Sequence, residues 1–227
     1  MPDKGQVLSP VAARAYYDRF GRKQDSQGFY EDPALDELIA HSDFQDSRSV
    51  FEFGCGTGKF SARLLENHLS PATIYLGCDV SPVMIDIANH RLAAHVQRAQ
   101  VVLSDGVVRF PLPDHSVDHV ISNYVLDLLS EDDIARFFME AHRVLMPGGK
   151  VCLASLTSGV KLWSRIISSL WMSVFRLNPA IVGGCRPIVL DAFVDLHKWR
   201  LVHKRIVAPF GVPSEVLILA SGSTPNK

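Results

Sequence analysis

The residues with the clearest chemical content lie in Val50-Phe51-Glu52-Phe53-Gly54-Cys55-Gly56-Thr57-Gly58, where an apolar run passes straight into alternating glycines. Glycine at these positions keeps side chains out of the turn, so a ligand can approach the backbone closely. The free N–H groups at the start of a following helix then suit an anionic group such as a carboxylate or phosphate. A turn that used glycine only for tightness would account for one of the three. The spacing reads E-x-G-x-G-x-G. A dinucleotide fingerprint, G-x-G-x-x-G, would need glycine where Lys59 stands, and no G-x-x-x-x-G-K-[ST] occurs to cradle a triphosphate.

That turn needs a strand behind it and a helix in front, and the chain supplies both repeatedly. Short apolar or β-branched runs predict strands at Ser49 to Phe53, Ile74 to Cys78, Ala99 to Leu103, Val117 to Ser122 and Lys150 to Leu156, alternating with helical patterns. This is the pattern of an α/β fold, a mostly parallel sheet with helices on both faces. Trp199 to Val207 and Glu215 to Ala220, separated by Pro209, Gly211 and Pro213, predict a closing antiparallel hairpin. A helix is expected from about Lys59. Ser81-Pro82 predicts a capped helix start running to about His95. Ser130 with Asp133 predicts another, carrying Ile134, Phe137, Phe138, Ala141 and Leu145 on one face until Pro147 and Gly148 stop it.

Composition narrows the classes. The 227 residues, 47% hydrophobic, suit one substantial core, and 23 basic against 24 acidic residues give a net charge of −1 that draws the chain to neither nucleic acid nor anionic lipid as a whole. Cys55, Cys78, Cys152 and Cys185 form no C-x-x-C pair, which argues against zinc and a disulfide scaffold and for buried free thiols, as in a reducing, cytoplasmic setting. Met1 through Arg14 lacks a secretory pattern and is expected to be a frayed tail. Between Arg165 and Arg176 only Ile166 to Phe175 is free of charge, too short to span a bilayer.

With these features in order, the segment from Val50 to Leu156 resembles the class I S-adenosylmethionine-dependent methyltransferases, a Rossmann-like family, and within it the ubiquinone and menaquinone biosynthesis enzymes (methyltransferase type 11). The resemblance implies a seven-stranded sheet and S-adenosylmethionine as cofactor. By the family pattern Glu52 receives the methionine amino group, Gly54 and Gly56 face its carboxylate end, and Asp79, about 20 residues on, accepts hydrogen bonds from the ribose. Asp105-Gly106 would hold the adenine amino group, although a plain D-G turn explains it too. Cys55, Gly58, Val80, Met84 and Asn123 complete the implied cofactor set. Leu145-Met146-Pro147-Gly148-Gly149 resembles the family's structural L-x-P-G-G turn.

The sulfonium methyl is already activated, so the resemblance implies no metal, and the protein's task is to align donor and acceptor and exclude water. Tyr124 and Asp127, just past the fourth strand, are the candidate catalytic pair; His115 and His119 suit solvation or packing better. Residues 1–47, with Tyr16, Tyr17, Phe20 and Tyr30, form a helical leader that would act either as a lid or as core, ahead of a methyltransferase domain over 48–227. An amphipathic insertion at 159–190 places Trp163, Ile166, Ile167, Leu170, Val174 and Leu177 on one face, and Arg165, Ser168, Ser169, Ser173 and Arg176 on the other. Ordinary packing against the sheet is the first expectation for that stripe; a lid over the acceptor or a peripheral membrane contact through 160–177 is the second. The expected partner is a small apolar or amphiphilic methyl acceptor such as a quinol, phenol or lipid. A nucleic-acid substrate is disfavoured, since Asn123-Tyr124-Val125-Leu126 stands where N-P-P-Y would. A propylamine transferase, a non-catalytic cofactor-binding subunit and a protein methyltransferase are the alternatives.

Overall fold

The computed structural model describes residues 7–160 and 162–222. Seven strands form one sheet: β1 (Ser49–Phe53), β2 (Ile74–Asp79), β3 (Ala99–Leu103), β4 (Val117–Asn123), β5 (Leu145–Leu156), β6 (Trp199–Val207) and β7 (Ser214–Ser221), in the order β3-β2-β1-β4-β5-β7-β6. The first five strands pair in parallel, and β7 inserts antiparallel between β5 and β6. Six helices accompany them: α1 (Pro10–Phe20), α2 (Gly28–Ser42), α3 (Lys59–Asn67), α4 (Pro82–Arg91), α5 (Glu131–Val144) and α6 (Leu162–Leu177). The chain reverses its strand order on passing from β1 outward in both directions, and open α/β sheets bind ligands at that switch point, beyond the strands' carboxyl ends.

Strand periodicity splits the core in two. Phe51 and Phe53 of β1 face α5, joining Phe110, Phe137, Val151 and Leu153. Val50 faces the other way, onto Leu38 of α2, Phe60 and Leu64 of α3 and Ala88 of α4. Full burial of one side chain such as Phe137 contributes about 1.5–3 kcal/mol. Polar ties fix α2 to β6, where Glu37 meets His203 and Arg205 at 2.9 Å each and the rings of His41 and His203 stack at 3.7 Å. His119 is buried between the Ser47 hydroxyl and the Ser42 carbonyl, a packing position.

Three expectations need correction. The chain is already helical from Pro10, where Ser9 accepts a hydrogen bond from the Ala12 N–H and Pro10 occupies the first turn, so 10–14 are no tail; Met1 to Gln6 lie outside the described residues. α4 stops at Arg91, followed by a separate turn at Ala93–His95. α5 stops at Val144, ahead of Pro147: Leu145 is already extended and pairs with Val117, and Met146 to Gly149 bulge out before Lys150 rejoins opposite His119. The Pro-Gly-Gly stretch shapes the entry of β5 and does not end the helix. The caps at Ser81 and Ser130 have the expected geometry, each hydroxyl accepting an N–H three residues on at 3.1 Å.

Candidate functional site

The glycine turn leaves β1 with Gly54, Gly56 and Gly58 all at positive φ (80°, 53° and 71°), a region side chains rarely adopt. Two backbone donors at its tip point at side chains from elsewhere. The Gly56 N–H reaches Asp79 Oδ2 at 3.0 Å, and the Thr57 N–H reaches Gln24 Oε1 at 3.3 Å. Asp79, at the end of β2, also accepts the Ser81 N–H at 2.9 Å. Burial outweighs these donors and raises its pKa to about 6. Glu52 is likewise buried: Oε2 accepts from Ser61 at 2.7 Å and Tyr75 at 2.6 Å, yet desolvation raises its pKa to about 6. Beside it, the amide of Asn123 is buried against the Glu52 carboxyl and helps to hold its pKa down. Two buried carboxyls, an amide and a glycine turn thus meet at the end of β1, a donor and acceptor set suited to a polar ligand.

The other expected cofactor residues divide. Cys55 and Cys78 are free and buried, and burial raises the Cys78 thiol to about 12, which makes it inert as a nucleophile. Met84 is buried and Val80 partly so. Asp105 is exposed and accepts the Val107 N–H at 2.9 Å, the plain turn geometry, while Gly106 lies against Pro10 of α1. A cavity of about 130 Å³ joins Glu52, Gly54, Gly56, Asn123 and Tyr124 to Gln24 and Glu31. Sequence reasoning missed Gln24, Asp25 and Glu31. No motif surrounds them, and only the fold brings the Gly21–Gln27 turn over the glycine loop. There Asp25 accepts from Thr57 Oγ1 and Arg91 at 2.6 Å each.

On the acceptor side, Asp127 is fully buried. Its Oδ2 accepts the Leu156 N–H at 3.3 Å, and its Oδ1 has no partner. Burial pushes its pKa up to about 7, partly offset by that N–H and by the Arg186 charge. Arg186 itself is committed to the Asp127 and Leu129 carbonyls. Tyr17, Tyr30, Tyr124 and Cys185 all lie within electrostatic reach of Asp127, and the Tyr17 hydroxyl bonds the Cys185 thiol. Tyr124 has φ of 55°, strained for a bulky residue, and turns its hydroxyl to Ser214 at 2.9 Å while Tyr30 meets its ring edge-on at 5.9 Å. Glu31 adds a second carboxyl whose pKa burial raises to about 7.

A glycine cradle, a strand-end carboxylate and a desolvated acid at the switch point of this sheet define a Rossmann-like domain that holds a nucleoside cofactor beside a second substrate. Comparison with known proteins sharpens that class. Residues 50–149 match the family model of a methyltransferase domain. A malonyl-[acyl-carrier protein] O-methyltransferase of Hahella chejuensis is 32% identical over 208 residues, covering 85% of this chain and 70% of that protein. The tRNA N(3)-methylcytidine methyltransferase Mettl2 of Drosophila melanogaster is 31% identical over 124 residues, 53% of this chain and 38% of that protein. The cyclopropane synthase MmaA2 from Mycobacterium tuberculosis shares the fold, with a TM-score of 0.69 at 16% identity over 95% of this chain and 99% of that one. The chain therefore belongs to the class I S-adenosylmethionine-dependent methyltransferases, whose cofactor the positive-φ glycine turn and the buried carboxyls of Glu52 and Asp79 fit. It spans from 38% to 70% of the length of these two sequence relatives.

Proposed function

We propose that the protein transfers a methyl group to a small apolar or amphiphilic acceptor, with Asp127 taking up the proton the acceptor loses. When bound, S-adenosylmethionine supplies an electrophilic methyl on a sulfonium. Glu52, Asn123 and the Gly54–Gly58 turn would hold its amino-acid end and Asp79 its ribose, with Cys55, Val80, Met84 and Gly106 as walls. Asp79 keeps acceptor capacity for this, since each of its oxygens receives a single side-chain-to-backbone hydrogen bond. In this reading Asp105 is a turn residue, the 10–47 segment is the cover that excludes water, and Tyr124 is a wall that orients the acceptor.

The observation that carries the reading is the buried, unpaired Oδ1 of Asp127, bordered by tyrosines and a thiol, with the nearby Arg186 engaged by backbone carbonyls. A carboxyl with pKa near neutrality in a dry site is suited to accept a proton from a phenol, quinol or amine as the methyl arrives. The cover also favours a small acceptor: the Gly21–Gln27 turn lies over the glycine loop and α1 against Gly106 and Ser81, beside the narrow cavity described above. The test combines a calorimetric titration of S-adenosylhomocysteine with a screen of phenols, quinols, amines, lipids and tRNA for labelled methyl uptake. Uptake by a small acceptor, lost in Asp127→Asn, supports the proposal. Uptake by tRNA alone overturns it, and cofactor binding with no uptake by any acceptor makes the chain a binding subunit.

A further inference from the structure

Helix α6 is amphipathic in the sense opposite to a core helix. Its buried positions include Ser164 and Ser168 together with Phe175. Ser168 Oγ accepts the Gly159 N–H at 3.2 Å and donates to the Arg165 carbonyl at 3.1 Å, and Trp171 is pinned through Nε1 to the Cys185 carbonyl at 2.9 Å. The large apolar side chains face out: Trp163 is 75% exposed, Leu170 63% and Leu177 84%, a stripe of heptad spacing flanked one turn away by Leu162 and Ile166. The expectation of ordinary packing fails at Trp163, Ile166, Leu170 and Leu177 and holds for the part-buried Ile167 and Val174. The apolar surface continues into the neighbouring Pro209–Gly211 turn, which packs on α6 through Ile167 against Gly211. There Phe210 holds φ of 51° and stands 80% exposed beside the exposed ring of Phe29.

Charge decides what covers this face. From Glu140 to Asp191 the sequence contains no acidic residue, while α6 carries two cations, Arg165 and Arg176, in a chain whose net charge is −1. Arg165 and Arg176 stand exposed on the polar side of α6, about a third of a turn round the helix from the stripe. A second copy of the chain would bring the α6 arginines together with no acidic residue on α6 to meet them. An anionic bilayer offers hydrocarbon to the stripe and phosphates to the arginines. Among the described residues no helix is long and apolar enough to cross a membrane, so the helix would lie in the interface plane.

We propose that α6, with Trp163, Leu170 and Leu177 inserted and Arg165 and Arg176 at the headgroups, docks the protein on an anionic membrane surface. The test is co-sedimentation with vesicles of phosphatidylcholine alone or mixed equally with phosphatidylglycerol, read together with tryptophan emission. Binding to the mixed vesicles only, weakened by salt and accompanied by a blue shift that Trp163→Phe removes, is the expected result. Arg165→Glu/Arg176→Glu should weaken it by about tenfold or more. Trp163→Gln/Leu170→Gln should abolish it while S-adenosylhomocysteine binding and far-ultraviolet dichroism stay unchanged, because these side chains are already exposed. Absence of binding to either vesicle overturns the proposal without touching the methyltransferase reading. A concentration-dependent dimer in sedimentation equilibrium that the same double variant dissolves also overturns it, and gives the face to a second copy.

Discussion

The two halves of the site are built from different materials. The proposed cofactor half is a contiguous strand, turn and helix in which backbone N–H groups and positive-φ glycines do the positioning, the Gly56 and Thr57 N–H groups donating to Asp79 and Gln24. The proposed acceptor half is assembled from side chains on separate segments: Tyr17, Tyr30 and Glu31 before β1, Tyr124 and Asp127 after β4, Cys185 and Arg186 after α6. Its polar groups are left underpaired, as at Asp127 Oδ1. A backbone-built site tolerates little change and fixes one ligand, whereas a side-chain-built site can be retuned residue by residue. The sharpest way to break this comparison is to remove the one acid the acceptor half leaves unpaired. Asp127→Asn should lower kcat by about 10²–10⁴ with cofactor affinity unchanged. In the parent, kcat should rise through a pH near 7 as the carboxylate forms, and the variant should lose that rise. A variant with an unaltered pH profile would move the base elsewhere, with Glu31 next in line.

The cofactor half should fail differently. At Gly56 an added Cβ would sit 2.6 Å from Gln24 Oε1, at φ of 53°. Gln24 is the far end of a flexible side chain and can move, so Gly56→Val should keep the fold but lower S-adenosylhomocysteine affinity by at least about 100-fold, close to 3 kcal/mol. Calorimetry with a circular-dichroism control checks this, and retained affinity would take the turn out of the site.

The same contrast explains what the sequence reveals. The strands, the Gly54–Gly58 turn, Asp79 and the Ser81 and Ser130 caps follow from local rules of periodicity, spacing and capping, and the fold carries them as read. Gln24, Asp25 and Glu31 were invisible because their meeting with Thr57, Arg91 and the cavity is long-range, more than 30 residues away for Gln24, and follows no spacing rule. α6 was legible as an amphipathic helix but not in its orientation. Periodicity gives two faces, and only the Gly159 and Cys185 contacts determine which one turns inward.

Both halves carry buried acids, which gives the whole site an inverted pH dependence. Asp127 and Glu31 titrate near 7 and Asp79 and Glu52 near 6, all raised by burial. An acid whose folded pKa is raised holds its proton more tightly when folded. Its stabilisation is full below about pH 4 and lost as pH rises to the folded pKa. Buried His119, whose pKa is lowered, works in the opposite direction below about pH 6.5, but the acids outnumber it. Urea unfolding should therefore give a stability lower at pH 8 than at pH 5 by more than about 2 kcal/mol. Asp127→Asn should shrink that difference, gaining stability at pH 8 while losing activity. Stability that climbs from pH 5 to pH 8 in both proteins would contradict the buried-acid account.

The smallest effect separates positioning from proton transfer within the acceptor half. The Tyr124 hydroxyl already donates to Ser214 Oγ at 2.9 Å, and burial holds its proton more tightly than in free tyrosine, so it carries no proton away near neutrality. Its contribution lies in the ring, which a strained backbone and the edge of Tyr30 hold at the mouth of the cavity. Tyr124→Phe keeps the ring and removes one neutral hydrogen bond, so stability should fall by about 0.5–1.5 kcal/mol. kcat should change by less than about threefold, since no transition-state interaction is removed and the geometry is kept. Tyr124→Ala removes the wall as well, and the acceptor KM should then rise while the pH of half-maximal kcat stays near that of the parent. A large loss of kcat in Tyr124→Phe, with the protein folded and KM unchanged, would instead make the hydroxyl part of the chemistry and shift the proton-transfer role from Asp127 alone to the pair.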